Sequence, residues 1–149
     1  MLKASVRIKK LRPDAQLPTY GSQNAAGADL CALTEEAGLS IAPGETAMVH
    51  TGLSIELPQG YAGLVYARSG LAAKRGLAPA NKVGVIDPDY RGEIMIALHN
   101  HGNAPATVQN GERVAQLVIT PYLMAEFTEA DALSDTARGE GGFGSTGRK

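Results

Sequence analysis

The chemistry-bearing side chains of this chain gather in five short stretches, and the most reactive of these is Asp87-Pro88-Asp89-Tyr90. It follows the apolar run Val83-Gly84-Val85-Ile86, so Asp87 reads as a carboxylate held at a strand end and able to orient a water, while Tyr90 offers a flat face and a hydroxyl. The same four residues are also ordinary turn chemistry, because Asp side chains bond nearby backbone and Pro fixes φ. Ala67-Arg68-Ser69-Gly70-Leu71 places a guanidinium and a hydroxyl at the start of a short helix, a compact site for an anion. It reads equally as a capped helix beside a surface arginine. Asp29 is the only acid in Ala26-Gly27-Ala28-Asp29-Leu30-Cys31-Ala32, and a lone carboxylate there is a hydrogen-bonded turn or edge residue unless it has partners. Gln116 lies in the apolar run 114–119, where a buried amide needs a partner and is able to hold a substrate or a water; Glu112 and Arg113 before it read as exposed turn charges.

The fifth stretch closes the chain. Residues 138–147, RGEGGFGSTG, combine glycines with Ser145 and Thr146, whose N–H and O–H groups can wrap an oxyanion, and with Phe143, which can stack on a base. The Gly-Lys-Ser/Thr ending of a Walker A loop is missing. From Ser134 onward large hydrophobes vanish except for Phe143, so this segment cannot offset its own ordering entropy and is expected to stay mobile until something orders it. His50, His99 and His101 lack metal-ligand partners at useful spacing and read as structural or exposed.

Composition bounds what can carry these groups. One domain of 149 residues is long enough to bury its own core. A formal charge of -1 excludes a global field for nucleic acid or an anionic membrane, so phosphate binding has to be local. One cysteine, Cys31, cannot form an internal disulfide, and the N-terminal residues have no signal-peptide character; a reducing, cytoplasmic setting follows as the expectation. No apolar run approaches a membrane span.

Eighteen Gly and eight Pro, with no Trp and two Phe, suit many short strands joined by tight turns. Turn signals recur at Leu17-Pro18, Tyr20-Gly21, Pro43-Gly44, 57–60, Asp87-Pro88, Asn110-Gly111 and Thr120-Pro121. Between them the spacing predicts strands over 4–9, 46–50, 53–57, 61–66, 93–98 and 114–119, in an antiparallel sandwich or barrel. The one helix expected is 69–75, capped by Ser69 and ended by Gly76 in the left-handed conformation.

In this order and spacing, the stretches 26–32, 67–72, 81–94, 111–119 and 138–147 resemble the five motifs of the trimeric dUTP diphosphatase (dUTPase) family. The departures are small: Ala67 stands where many relatives have Pro, and Pro88-Asp89 where others carry Ser or Ala first. The resemblance implies an all-β, jelly-roll-like (β-clip) barrel over 1–133, with one short helix, and a flexible arm over 134–149 that closes over the site. It implies a homotrimer with shared active sites and Mg²⁺-assisted hydrolysis of dUTP to dUMP and pyrophosphate, which keeps uracil out of DNA and supplies dUMP for thymidylate synthesis. Nucleic acid and membrane are not expected as partners. By the same resemblance Asp87 is the general base, Gln116 bonds phosphate or the catalytic water, and Asp29 reaches the metal through water. Arg68, Ser69 and Gly70 hold phosphate oxygens, Asn81 pairs with the uracil edge, and Tyr90 packs under the deoxyribose. Val85 and Met95 join the substrate pocket; from the arm, Phe143 stacks on uracil while Arg138, Gly144, Ser145 and Thr146 close on the nucleotide. The Asp87–Tyr90 turn and the tail bearing Phe143 resemble the diphosphatase branch rather than the dCTP deaminases of the same superfamily. A silent nucleotide binder is disfavoured because every candidate group is present.

Overall fold

The computed structural model describes residues 3–143. In chain order its elements are β1 (Arg7–Lys10), β2 (Thr19–Tyr20), β3 (Ala28–Cys31), β4 (Leu39–Ile41), β5 (Thr46–His50), β6 (Leu53–Glu56), β7 (Tyr61–Ala67), α1 (Ser69–Arg75), β8 (Leu77–Pro79), β9 (Gly84–Ile86), β10 (Met95–Asn100), β11 (Ala106–Val108) and β12 (Arg113–Pro121). Every strand pairing is antiparallel. The largest sheet runs β2-β3-β12-β7-β9, a second runs β5-β10-β8, and the pairs β1-β6 and β4-β11 complete an all-β, jelly-roll-like body.

Period-two patterning decides which side chains meet in the middle. Along β10, Ile96 and Leu98 turn inward while Met95 stays at the surface. Leu30, Val49, Leu53, Leu77, Leu98, Val108 and Val114 are shut off from solvent, one or more from each sheet, so the core is shared rather than owned by one hairpin. In β12 the register against β3 slips between Arg113 and Ala115, and this bulge lets both Val114 and Ala115 be buried in succession.

Three local expectations need correction. The helix begins after Arg68, whose extended backbone (φ -89, ψ 125) makes it the N-cap, and no side chain caps the first turn; Ser69 is already helical. Its C-terminus is as expected, with Gly76 at φ 65 and its N–H bonded to the last carbonyls. Thr120-Pro121 is strand rather than turn, because β12 beyond Leu117 has β7 on one side only and an edge tolerates proline. The opening strand is confined to Arg7–Lys10, with Val6 packing on the core before it.

After β12 the chain, through residue 143, carries no strand or helix, and Leu123, Met124, Phe127 and Leu133 stand almost fully in water. Among the described residues no helix is long and apolar enough to cross a membrane.

Candidate active site

Strand β7 carries one group of candidate residues at each of its ends. Its pairing with β9 sets Gly63 opposite Ile86 and Val65 opposite Gly84, so Asp87 emerges beside the start of β7, near Ala62. The chain there turns tightly: the Asp87 carbonyl accepts the Tyr90 N–H at 3.2 Å, and the Arg91 guanidinium braces the turn by donating to the Pro88 and Tyr90 carbonyls at 2.7 and 3.1 Å. The Tyr90 hydroxyl donates to the Glu93 carbonyl at 2.9 Å. Its ring lies over Gly92, where a methyl group would overlap it. At the other end of β9, Val83 N–H bonds to the Asn81 carbonyl at 2.5 Å across Lys82, which sits at φ 58, a left-handed conformation that costs a lysine energy. Asn81, Val85, Asp87, Tyr90 and Met95 line one cavity of about 260 Å³. Val85 and Met95 are 61% and 41% exposed, which makes them an apolar wall waiting for a partner.

The second group gathers where β7 ends and α1 begins. The Asp29 carboxylate, mostly withdrawn from solvent, accepts Arg68 Nε at 2.9 Å on one oxygen and Arg113 Nη1 at 3.1 Å on the other. Arg68 also donates to the Arg113 carbonyl at 3.3 Å, so its guanidinium plane is held from two sides. Gln116, opposite Tyr66 in the ladder, donates its amide to the Ala67 carbonyl at 2.9 Å. Gly27 has no room for a methyl because Gln116 lies against it. Gly27, Asp29, Arg68 and Gln116, with Ser69, Gly70 and Lys74, border a cavity of about 480 Å³.

The two cavities share no lining residue. From Ala62 to Arg68 is six positions of extended chain, about 20 Å at roughly 3.3 Å per residue. A base has to stand within hydrogen-bond reach of its proton or one water away, and on one chain Asp87 and Arg68 stand at opposite ends of β7, in separate cavities. Of the remaining expected residues, Arg138 donates Nε to the Gly141 carbonyl at 2.6 Å in a local turn, and Phe143 is fully exposed at φ 50; neither borders either cavity. Gly144, Ser145 and Thr146 lie outside the described residues.

Arg113 and Glu112, expected as exposed turn charges, have partners. Arg113 holds Asp29, and Glu112 pairs with Arg75 while accepting the Gln109 N–H at 3.0 Å. His50, expected to be structural or exposed, bonds Glu93 at 2.9 Å. The pairs Arg113–Asp29, Glu112–Arg75 and His50–Glu93 are separated by 37 to 84 positions, and only the tertiary fold brings them together. Among the described residues no three His, Cys, Asp or Glu side chains converge on a metal position. That donor set does not build a protein cage, but it suits a hard divalent cation that keeps phosphate and water ligands, with the free lone pairs of Asp29 able to order those waters.

The dUTPase family model matches residues 13–147. The deoxyuridine 5'-triphosphate nucleotidohydrolase of Desulfitobacterium hafniense (strain DSM 10664 / DCB-2) is 52% identical over 145 residues, 95% of this chain and 95% of its own length. Among solved structures, the Staphylococcus bacteriophage 80alpha dUTPase with dUPNHPP is similar with a TM-score of 0.87 and 27% identity, over 96% of this chain and 98% of the phage chain. The dUTPase from phage phi11 of S. aureus, at 22% identity and a TM-score of 0.79 over 89% of this chain and 99% of that one, shares the fold.

Proposed function

The chain belongs to the dUTPase family and is a dUTP diphosphatase, and from that premise we propose how its residues divide the hydrolysis of dUTP to dUMP and pyrophosphate. Asp87 takes a proton from a water that attacks the α-phosphorus in line while pyrophosphate leaves. Tyr90 packs under the deoxyribose, Asn81 pairs with the uracil edge, and Val85 and Met95 wall the base. Discrimination against cytosine rests on hydrogen bonds to that edge, since a mismatch leaves buried polar groups unpaired. Arg68, Ser69 and Gly70 grip phosphate oxygens, and Gln116 holds phosphate or the attacking water. Asp29 aims Arg68 and orders the waters of a divalent cation, which we take to be Mg²⁺. Such an ion, carried on the triphosphate, neutralises charge on the leaving group.

The observation that carries this reading is the separation of Asp87 from Arg68 at opposite ends of β7, each in its own cavity. A complete site therefore joins the base cavity of one subunit to the phosphate cavity of another, in a homotrimer with shared sites. Residues 134–149 form the arm that covers the assembled site, with Phe143 on uracil and Arg138, Gly144, Ser145 and Thr146 around the phosphates. Closure of such a lid excludes water and completes the site only around the right nucleotide. The product role follows: uracil is kept out of DNA and dUMP is made available for thymidylate synthesis, in a cytoplasmic setting that suits the lone Cys31.

Pyrophosphate release from each deoxynucleoside triphosphate, with and without Mg²⁺, tests the substrate. Release from dUTP alone is expected, and ammonia from dCTP would move the chain to the deaminase branch.

A further inference from the structure

Glu93 touches both of its neighbouring structures at once. One carboxylate oxygen accepts the Gly52 N–H at 2.8 Å, and the other bonds His50 Nδ1 at 2.9 Å, while its main-chain carbonyl accepts the Tyr90 hydroxyl at 2.9 Å. The segment around it is stitched to the β5–β6 turn by further bonds: Thr51 Oγ1 donates to the Ile94 carbonyl at 2.6 Å, Ile94 N–H to the Leu53 carbonyl at 2.8 Å, and Ser54 Oγ to the Arg91 carbonyl at 2.7 Å. Most of these are main-chain acceptors. The Glu93 carboxylate is largely buried in the seam, whereas Glu56, 3.9 Å from Arg91, is 41% exposed. Gly52 presents its N–H from a left-handed backbone at φ 66, so no ordinary ladder partner is available to it.

We propose that the Glu93 carboxylate is a positioning residue for Tyr90, fixing the height of the ring over the base cavity and so setting the preference for deoxyribose over ribose. The role rests on the dUTP-hydrolysis reading above. With the carboxylate gone, Gly52 N–H and His50 lose their partner, the 90–93 turn relaxes, and the Tyr90 hydroxyl follows the carbonyl to which it is tied. The ring then no longer presses where a 2'-hydroxyl would stand. The Glu93 carboxylate bonds neither Asp87 nor the phosphorus, and the Tyr90 N–H and Arg91 bonds that brace Asp87 are made without it, so the loss falls on binding before it falls on the chemical step.

The test compares kcat and KM for dUTP and UTP in the full-length wild type, Glu93→Ala and Glu93→Gln. For Glu93→Ala, KM for dUTP rises and the dUTP/UTP ratio of kcat/KM falls by about tenfold, while kcat for dUTP stays within about twofold. Glu93→Gln retains an acceptor for Gly52 and a bond to a neutral His50, and restores the ratio to within about twofold. Should Glu93→Ala not fold, His50→Ala, which frees one carboxylate oxygen, gives a smaller fall in the same direction. A ratio unchanged in the folded variants, or a fall carried by kcat alone, overturns the role of Glu93. A wild type that itself fails to prefer dUTP over UTP overturns the functional reading and this role together.

Discussion

Asp87 is exposed at the end of a three-residue strand, braced by Tyr90 and Arg91, and nothing about its fold requires a carboxylate. Asp87→Asn is therefore expected to leave stability and analogue binding near wild type while lowering pyrophosphate release by about 10²–10⁴-fold, the range for loss of a general base. Activity at the wild-type level would remove Asp87 from that role. Glu93 makes a different prediction, on stability. Burial works to raise its carboxyl group, but the hydrogen bond from His50 and the N–H groups of Gly52 and Thr51 outweigh it and hold it below the ordinary glutamate range. A group lowered on folding contributes stability above its unfolded value, about 4.3, and loses it as pH falls through the folded value. The melting temperature of wild type should thus fall more steeply in acid than that of Glu93→Gln, the two converging at the acid end. Parallel curves would mean that the pair contributes nothing.

Among the elements, those with strong patterning were readable beforehand. The run 61–66, the helix 69–75 and the strand 114–119 appear within a residue or two, because alternation and the Gly76 stop are local signals. The two-residue β2 and the three-residue β4, β8 and β11 were not, since so few positions cannot show a period and their pairing is decided by partners far along the chain. The site divides similarly. Asp87 and Tyr90 announce themselves as neighbours in one turn, whereas the hold of Arg113 on Asp29 exists only through the β3–β12 register. Gly76 shows how much a local signal can fix: its left-handed φ of 65 is joined by the backbone of Gly102, 2.6 Å from where a methyl carbon would sit. Gly76→Ala is expected to cost upwards of about 1 kcal/mol from the backbone conformation alone. Urea titration measures it, and an unchanged midpoint would show that the helix end can yield.

At the scale of the whole molecule, the body through β12 contains the buried core, and among the described residues those after it, 122–143, contribute none of the fully buried side chains. Removal of residues 138–149 should leave a folded trimer by size and melting behaviour, yet with little dUTP hydrolysis; full turnover after that truncation would show the arm to be dispensable. The central claim is that Asp87 and Arg68 of different subunits meet in one site. Its most direct measurement is complementation: Asp87→Asn and Arg68→Ala chains, each inactive alone, are co-refolded in equal amounts and assayed for pyrophosphate release. Random assembly pairs an intact Asp87 with an intact neighbouring Arg68 in about a quarter of the sites, so activity should return to about a quarter of the wild-type value. A mixture that stays as inactive as its components would contradict the shared site.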